Sequence, residues 1–382
     1  MKVLFVNVVN TKNHVHTRYY PLSFGYLKAY AEKQGCYFDC EYTEHLNRDV
    51  LDTVKPDVAA LTCITEMYPK AKQYAQLIKK YRPHCKVMLG GVHISAVPNS
   101  LSRHIDIGVI GEGEQTFYEL AQNGFCASPK ICGLVYRDKD NVLKQTLPRQ
   151  LIEPLDNIPH PDRSIFGPAK APYLFTSRGC PYRCIFCSSS RFWQKVRLHS
   201  AKYVAEEIWQ LYNSTIKHIN IYDDTFLIDL GRVKTLKSLL PSDVTFTVAA
   251  RANQLTVEAC EVLKDLGVAQ VGVGMESNSD AVLKILQKGN TSEDNQNAVD
   301  NLRKQGIRLS ASFICNVPGE TKLDLQETFR FIKRNKISYD LYRLMRFPNT
   351  PLYEGSTDWG KCKVRNVYTF KQHIGKIYHK IF

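Results

Sequence analysis

Short apolar runs alternate with helix-like stretches along the first 150 of the 382 residues. Four runs are apolar enough to predict buried strands: Val3–Val9, Val58–Thr65, Lys86–Leu89 and Ile105–Ile110. Helical periodicity lies between them at Leu22–Gln34 and Lys70–Tyr81. Because strands and helices alternate, the pattern predicts an α/β fold with helices on both faces of a parallel sheet. We expect this Rossmann-like domain to occupy residues 1–150, with a short β segment near its end.

A second alternating series follows a Pro-rich linker at residues 151–168. The strand candidates are Tyr173–Thr176, Ile219–Tyr222, Val244–Ala249, Gln270–Gly274, Leu309–Cys315 and Tyr339–Met345. The helix candidates are Lys202–Leu211, Val257–Leu266, Asp280–Leu286, Glu293–Gln305 and Lys322–Arg334. This series predicts a partial (β/α)6 barrel over residues 169–355, with a short extension at 356–382. Barrel enzymes place their active sites at the carboxyl ends of the strands.

Composition places the chain among globular proteins, with 44% hydrophobic and 23% charged residues. No apolar run is long enough to cross a membrane, and the first residues predict a strand rather than a signal peptide. We therefore expect a cytoplasmic protein without a membrane partner. The formal net charge of +14 indicates either a solvated basic surface or an anionic small-molecule substrate. No basic segment interleaved with aromatic residues indicates nucleic-acid binding.

Three cysteines form the run C-x3-C-x2-C at Cys180, Cys184 and Cys187. Thiolates suit iron–sulfur clusters, which normally take four cysteines, so three would leave one iron open to a substrate or cosubstrate. A zinc site is the alternative, but it usually needs four ligands with paired spacing, and no second C-x2-C is present. The remaining nine cysteines are expected to be buried free thiols.

The cysteine run resembles the cluster motif of radical S-adenosylmethionine (SAM) enzymes, and Phe186 before the last cysteine fits that family. The resemblance implies a [4Fe–4S] cluster whose open iron binds SAM. Later segments resemble the same family in order: Asp223-Asp224-Thr225-Phe226, Arg251, Gly274-Met275-Glu276-Ser277, Lys288-Gly289, Asn316-Val317-Pro318-Gly319-Glu320-Thr321 and Phe347–Tyr353. It implies that Arg251 and Glu276 contact SAM. A surface ion pair for Arg251 and a helix cap for Asp223-Asp224 remain alternatives. Asn316 and Asn349 stand where the family has Gly, and Asn tolerates positive φ.

The N-terminal segments Pro21–Leu27, Gly90–His93 and Gly111–Glu114 resemble the cobalamin-binding domain fused to many radical SAM enzymes. This resemblance implies a cobalamin held across the strand ends by Thr62, Gly90, Gly91 and Glu112. The D-x-H-x-x-G motif that supplies a cobalt-ligating His elsewhere is absent. We therefore expect a cobalt without a protein imidazole, although the plausibly placed histidines are His14, His16, His45 and His93.

The two resemblances together imply a cobalamin-dependent methyltransferase that acts on an unactivated carbon of a small molecule or natural product. Such an enzyme cleaves SAM reductively and needs an electron donor such as flavodoxin or ferredoxin. Radical oxidation, cyclisation or rearrangement, with cobalamin absent or auxiliary, is the alternative, and a non-enzymatic corrinoid or redox sensor is a third class. Methylthiolation of tRNA uses a similar cysteine loop, but about thirty residues after Tyr353 are too few for an RNA-binding domain. The sequence identifies no general acid or base.

Overall fold

The computed structural model describes residues 1–11, 19–167 and 172–355. The candidate ligands His14 and His16 and the predicted extension at 356–382 lie outside these residues. The described chain divides into two compact units, one formed by residues 1–11 and 19–167 and the other by residues 172–354. The domain boundaries drawn from the sequence stay predictions.

The first unit is built on a seven-stranded sheet with the order β2-β1-β3-β4-β5-β6-β7. Strands β1 to β5 run parallel, and β6 and β7 form an antiparallel edge. The strands are β1 Lys2–Asn7, β2 Asp39–Thr43, β3 Val58–Thr62, β4 Lys86–Gly90, β5 Ile107–Val109, β6 Leu134–Arg137 and β7 Leu143–Gln145. The strand order reverses at β1: the chain passes from β1 to β2 toward one edge of the sheet, and from β3 to β4 toward the other edge. A crevice at such a switch point is the usual ligand site of an open α/β sheet.

In the described residues of the first unit, five helices connect these strands: α1 Leu22–Lys33, α2 Arg48–Val54, α3 Tyr68–Tyr81, α4 Val92–Ala96 and α5 Glu114–Gln122. Local sequence explains two of their first turns. The Asn47 side chain accepts a hydrogen bond from Val50 N at the start of α2, and a proline occupies the first turn of α3. Short 3₁₀ turns at Thr65–Met67 and Pro98–Ser100 flank the carboxyl ends of β3 and β4.

The second unit holds six parallel strands in the order β15-β14-β13-β12-β11-β8. They are β8 Tyr173–Leu174, β11 His218–Ile221, β12 Thr245–Ala250, β13 Val268–Glu276, β14 Arg308–Cys315 and β15 Ser338–Arg343. Because consecutive strands are neighbours, right-handed crossovers put every connecting helix on the same face. The sheet therefore curls as a partial barrel, and within the described residues β8 and β15 do not pair with each other.

The helices of the second unit are α6 Ser189–Phe192, α7 Ala201–Asn213, α8 Leu230–Lys237, α9 Val257–Leu266, α10 Asp280–Ile285, α11 Ser292–Lys304 and α12 Lys322–Arg334. Hydroxyl side chains cap the first turns of α7, α9, α11 and α12. One face of the strands packs against these helices in a continuous hydrophobic core. A two-stranded antiparallel ribbon, β9 Ser177–Arg178 and β10 Arg197–Leu198, joins the two ends of the segment that carries the three cysteines.

The predicted fold class is confirmed: an α/β unit with a largely parallel sheet precedes a partial barrel. Every predicted strand and helix is present, with ends shifted by a few residues. The strand predicted to reach Thr65 ends at Thr62, where a 3₁₀ turn begins shortly afterwards. Sequence reasoning missed strands β2, β9 and β10 and helices α2, α4, α5, α6 and α8. Strand β2 reads Asp-Cys-Glu-Tyr-Thr and lies at the edge of the sheet beside β1. Because one side of this strand is exposed and polar, its sequence lacks the apolar run by which a buried strand is predicted.

Candidate active site

The cysteine loop starts at Gly179, a position that requires glycine. Its φ is +99°, and a Cβ there would lie 2.6 Å from the Lys195 carbonyl oxygen. Cys184 is buried, whereas Cys180 and Cys187 are half-buried, and Cys187 N donates to Cys184 O at 3.3 Å. Desolvation raises the pKa of the Cys180 and Cys187 thiols, and the negative charge of Asp224 and a neighbouring cysteine of the loop raise each pKa further. Burial and nearby negative charge therefore disfavour the ionised form of these two thiols.

Asp223 and Asp224 brace the cysteine loop. Asp223 is fully buried, and its carboxylate accepts hydrogen bonds from Thr176 N at 2.7 Å, Thr176 Oγ1 at 2.5 Å and Ser177 N at 3.2 Å. Asp224 accepts from Ser189 Oγ at 2.5 Å and from the Gly179 backbone. Desolvation raises the pKa of both carboxyls. The pair therefore holds the loop at its start and again just after its last cysteine.

Arg251 follows β12 and touches the cysteine loop directly. Its Nη1 donates to Cys184 Sγ at 3.4 Å, and its guanidinium carbon lies 3.6 Å from the centroid of the Tyr182 ring. The side chain is buried, yet Nε and Nη2 have no hydrogen-bond partner within the described part of the chain. Buried donors of this kind are costly unless a ligand satisfies them. The surface ion pair considered for Arg251 is therefore wrong.

Glu276 ends β13 in an unusual backbone conformation. Its φ is +65°, and the register between β13 and β14 shifts between Gly274 and Glu276, so the bulge redirects the carboxylate. Lys288 Nζ bonds Glu276 Oε1 at 2.9 Å, and both side chains are under one-tenth exposed. A Cβ on Gly274 would lie 2.5 Å from Glu276 Oε1, so the pair requires glycine at that position. Lys288 Nζ also lies 5.9 Å from the Phe186 ring of the cysteine loop.

The two asparagines that replace family glycines adopt the predicted backbone. Asn316 and Asn349 each have φ +64°, so the expectation that Asn would tolerate a left-handed conformation is confirmed. Glu320 Oε2 accepts from Asn316 N at 2.7 Å and closes the loop after β14, and burial raises the pKa of Glu320. This carboxylate therefore organises its own loop rather than reaching toward the cysteines.

Thr62, Gly90 and Gly91 meet at the carboxyl ends of β3 and β4 in the first unit. Thr62 pairs with Gly90 in the sheet register, and a Cβ on Gly91, whose φ is +99°, would lie 2.8 Å from Thr62 Oγ1. Among the described residues, no atom lies within 4 Å of a Cβ placed on Gly90. Sequence reasoning missed two apolar side chains on the same edge, Ile64 and Val92, which are 46% and 42% exposed. The edge therefore combines close-packed backbone, open space and exposed apolar surface.

The remaining predicted residues of the first unit have structural contacts. Glu112 is buried, and one of its oxygens accepts from Ile152 N at 3.1 Å, so it holds the segment that follows the sheet. His93 is fully buried, with Nδ1 3.3 Å from Thr65 Oγ1 and Nε2 3.0 Å from Ser100 Oγ. Burial, with a smaller contribution from Lys72, lowers the pKa of His93 to about 4.

Of the four candidate histidines, the described ones are His93 and His45. Both His93 ring nitrogens are engaged, and His45 is exposed and follows β2. Over the described residues no group of three or more His, Cys, Asp or Glu side chains converges as the ligands of one metal ion. A [4Fe–4S] cluster differs from a single ion because each cysteine binds its own iron. Across residues 1–11, 19–167 and 172–355 no helix has the length and apolarity to cross a membrane.

Two known domain families match the two units of this chain. The B12 binding domain matches residues 11–121, and the radical SAM superfamily matches residues 174–332. The groups implied are cobalamin for the first and a [4Fe–4S] cluster with SAM for the second. The residues fit these groups. The unpartnered Arg251 donors beside Cys184 suit an anionic group at the cluster, and the open, apolar edge at Gly90 suits a large flat ligand.

Relatives and solved structures of similar architecture extend over most of the chain. An uncharacterised methyltransferase of Pyrococcus horikoshii is 31% identical over 87% of this chain and 78% of its own length. The anaerobic magnesium-protoporphyrin IX monomethyl ester cyclase of Rubrivivax gelatinosus is 28% identical over 87% of this chain and 66% of its own.

The radical SAM methyltransferase TsrM of Kitasatospora setae has a similar fold, with a TM-score of 0.76, 20% identity, and coverage of 92% of this chain and 74% of its own. The cobalamin-dependent SAM radical enzyme OxsB gives a TM-score of 0.75 at 20% identity, covering 98% of this chain and 56% of its own. The chain belongs to the cobalamin-dependent, methyltransferase-like family of radical SAM enzymes.

Proposed function

We propose that this chain is a methyltransferase that acts on an unactivated carbon of a small molecule. Cys180, Cys184 and Cys187 would hold the cluster within residues 169–355. Arg251 and Glu276 would bind SAM beside Phe186. Thr62, Gly90, Gly91 and Glu112 would hold cobalamin within residues 1–150, with 151–168 as the linker. When bound, these cofactors supply reductive cleavage of SAM and a carrier for its methyl group.

The contact between Arg251 and Cys184 carries this proposal. The guanidinium lies against a thiol of the loop and over Tyr182, and two of its buried N–H groups remain for a ligand. A guanidinium binds a carboxylate through two parallel hydrogen bonds, and SAM carries one carboxylate. Arg251 would thus orient SAM at the cluster.

The buried pair of Glu276 and Lys288 completes the same strand edge. Lys288 occupies one carboxylate oxygen at 2.9 Å, which leaves the other oxygen to accept a hydrogen bond from a donor on SAM. The left-handed backbone at Glu276 keeps the side chain on this edge. We assign these residues to binding and orientation, and no side chain here is assigned as a general acid or base.

Radical cyclisation is the second candidate, because a relative at 28% identity is a cyclase. The two candidates predict different products from SAM. A methyltransferase forms S-adenosylhomocysteine as well as 5′-deoxyadenosine, whereas a cyclase that does not transfer methyl forms 5′-deoxyadenosine alone.

The test is turnover after anaerobic purification and cluster reconstitution. The protein is incubated with SAM, a strong reductant and hydroxocobalamin, and both nucleoside products are measured by mass spectrometry. We expect both products, together with retention of the corrinoid on gel filtration. Formation of 5′-deoxyadenosine without S-adenosylhomocysteine or retained corrinoid would favour the second candidate, and failure to form either product with an intact cluster would refute both.

Matched cysteine variants locate the cluster. Cys184→Ala should abolish the brown colour, the bound iron and all SAM cleavage. Cys260→Ala is the control, because Cys260 is a fully buried thiol on α9 within the helical face of the same unit. We expect Cys260→Ala to retain iron at the level of the unmodified protein. Equal iron loss in both variants would show that the effect is general destabilisation.

A further inference from the structure

The barrel strands present two chemically different faces. Their outward side chains, among them Ile219, Val248, Val271 and Phe313, are buried in the core against the helices. Strand alternation places every second residue on the opposite, inner face. We call this inner face the lumen wall; within the strands it comprises His218 and Asn220, Thr245, Thr247 and Ala249, Gln270, Gly272 and Gly274, Arg308, Ser310, Ser312 and Ile314, and Ser338, Asp340 and Tyr342.

Polar groups on the first part of the lumen wall satisfy one another. The His218 ring bonds Thr245 Oγ1 at 2.9 Å through Nδ1 and Thr247 Oγ1 at 3.1 Å through Nε2. Asn220 Nδ2 donates to Pro172 O at 3.1 Å. This part of the wall, on β11 and β12, is internally bonded and leaves little capacity for a ligand.

The other part of the lumen wall, on β13, β14 and β15, is different. Among the described residues, no hydrogen bond or ion pair engages the side chains of Gln270, Ser310, Ser312, Ser338 and Asp340. Ser310 lies opposite Gly272 and Ser338 in the register, and Ser312 lies opposite Gly274 and Asp340. Within the part of the chain that the structure describes, a Cβ on Gly272 would meet only the Val248 carbonyl oxygen, at 3.7 Å. Polar side chains without a hydrogen-bond partner among the described residues therefore surround the open position at Gly272.

Such a wall selects its ligand by hydrogen bonding. Ordinary barrel interiors are filled by Val, Ile and Leu, whereas this wall has hydroxyl, amide and glycine positions. An apolar ligand would desolvate these groups without replacing their bonds to water. Asp340 adds a carboxylate, which pairs most strongly with a cationic donor. Tyr222, which directly follows β11, packs edge-on against Tyr173 with the ring centroids 5.5 Å apart.

We propose that the substrate is a compact polar molecule with a protonated amine, and that Asp340 binds the amine while Ser310 and Ser312 bind its hydroxyl or carbonyl groups. This inference rests on the proposed function and names the substrate class of that site. It differs from the anionic substrate considered from the net charge. Arg308, the cation of the wall, lies four residues along β14 from Ser312, about 13 Å from the level of Asp340.

Saturation-transfer NMR on the anaerobic, cluster-loaded chain with SAM tests the amine directly. Glucosamine and glucose serve as probes, because they differ at one position only, where glucosamine has a protonated amine and glucose has a hydroxyl of similar size. A charged hydrogen bond gives about tenfold in affinity, so we expect glucosamine to bind about ten times more tightly. Equal binding of the two sugars, or no transfer to glucosamine, would overturn the inference.

Variants then assign the effect to the lumen wall. Asp340→Asn should remove the preference for glucosamine, and Asp340→Glu should restore part of it. Asp265→Asn on the outward helix α9 is the matched control, because Asp265 is exposed, and it should keep the preference. A second variant, which combines Ser310→Ala and Ser312→Ala, should lower the affinity for both sugars. An unchanged preference in Asp340→Asn would overturn the proposal even if the fold is intact.

Failure of the proposed function gives a different result. SAM cleavage is measured on the same unmodified preparation that is used for NMR. Sugar discrimination without SAM cleavage would support the lumen wall and refute the proposed reaction. Cleavage of SAM without sugar discrimination would refute the substrate class alone.

Discussion

Removing one partner of the ion pair between Glu276 and Lys288 should strongly destabilise the second unit. Both side chains are under one-tenth exposed, and the charged atoms are 2.9 Å apart. Lys288→Met keeps the length of the side chain but leaves a buried carboxylate without its partner. Loss of one member of a buried pair costs about 3–5 kcal/mol. For a unit of this size each kcal/mol lowers Tm by about 2–4 °C, so Tm should fall by about 6–20 °C.

The assay is thermal unfolding followed by tryptophan fluorescence. The three tryptophans of the chain are Trp193, Trp209 and Trp359, so residues 1–192 contribute none to the signal. Lys234→Met is the control, because the pair of Lys234 and Glu258 has a similar distance of 2.7 Å but both side chains are more than half exposed. Exposed pairs contribute about 0–1 kcal/mol, which limits the fall in Tm to about 4 °C.

A double variant distinguishes the charge from simple loss of packing. Glu276→Gln combined with Lys288→Met removes the buried charge together with its partner, so it should recover at least half of the lost Tm. The reasoning is refuted if Lys288→Met lowers Tm no more than Lys234→Met. It is also refuted if the double variant is as unstable as the sum of its single variants.

Three further predictions concern both units. Gly91→Ala should lower the free energy of unfolding by about 1–3 kcal/mol, because its Cβ would lie 2.8 Å from Thr62 Oγ1 and its backbone has φ +99°. Gly90→Ala is the control and should be nearly neutral, because a Cβ there meets no described atom. Equal losses in the two variants would contradict the close packing of Gly91 against Thr62. His93 has its pKa lowered to about 4 by burial, so unfolding takes up a proton and stability should fall by about 3 kcal/mol as pH drops from 6.5 to 4. Denaturant unfolding followed by circular dichroism should show that slope, and His93→Gln should flatten it. Asp223→Asn replaces one carboxylate oxygen that accepts a hydrogen bond from Thr176, at the start of the cysteine loop, and should at least halve the iron retained after reconstitution. Full retention of iron would show that Asp223 does not hold the loop in place.

Strong local patterns predicted most of the fold. Strands such as β1 and β3 read as apolar runs because both faces are covered, and α12 was predicted with its exact ends because a Thr cap precedes an amphipathic repeat. Helix α8 was missed, since Leu-Gly-Arg-Val-Lys-Thr-Leu-Lys buries two side chains and contains a glycine. Its existence depends on tertiary packing that no local pattern expresses.

Contacts across the chain explain what the sequence did not predict about the site. The sequence predicts Arg251 as a residue at the end of a strand. Its hydrogen bond to Cys184 could not be predicted, because the two residues are 67 positions apart and only the tertiary fold brings them together. His93 is buried and satisfied because Thr65 and Ser100 converge on it from separate turns. The lumen wall could not be predicted without the strand register, because only the register shows that Ser310 on β14 lies between Gly272 and Ser338.

Backbone strain at Glu276 is the strongest link between the fold and its chemistry. Asn316, which directly follows β14, adopts φ +64° at little cost because Asn tolerates a left-handed conformation, but for Glu276, with φ +65° at the end of β13, such a conformation costs about 1–3 kcal/mol. A regular strand would point the next side chain to the alternate face, away from Lys288. The bulge before Glu276 and the glycine at 274, which leaves room for the carboxylate, are both needed to hold it beside that lysine. Since packing alone would favour an unstrained strand end, the strain is explained by the position that the carboxylate must keep.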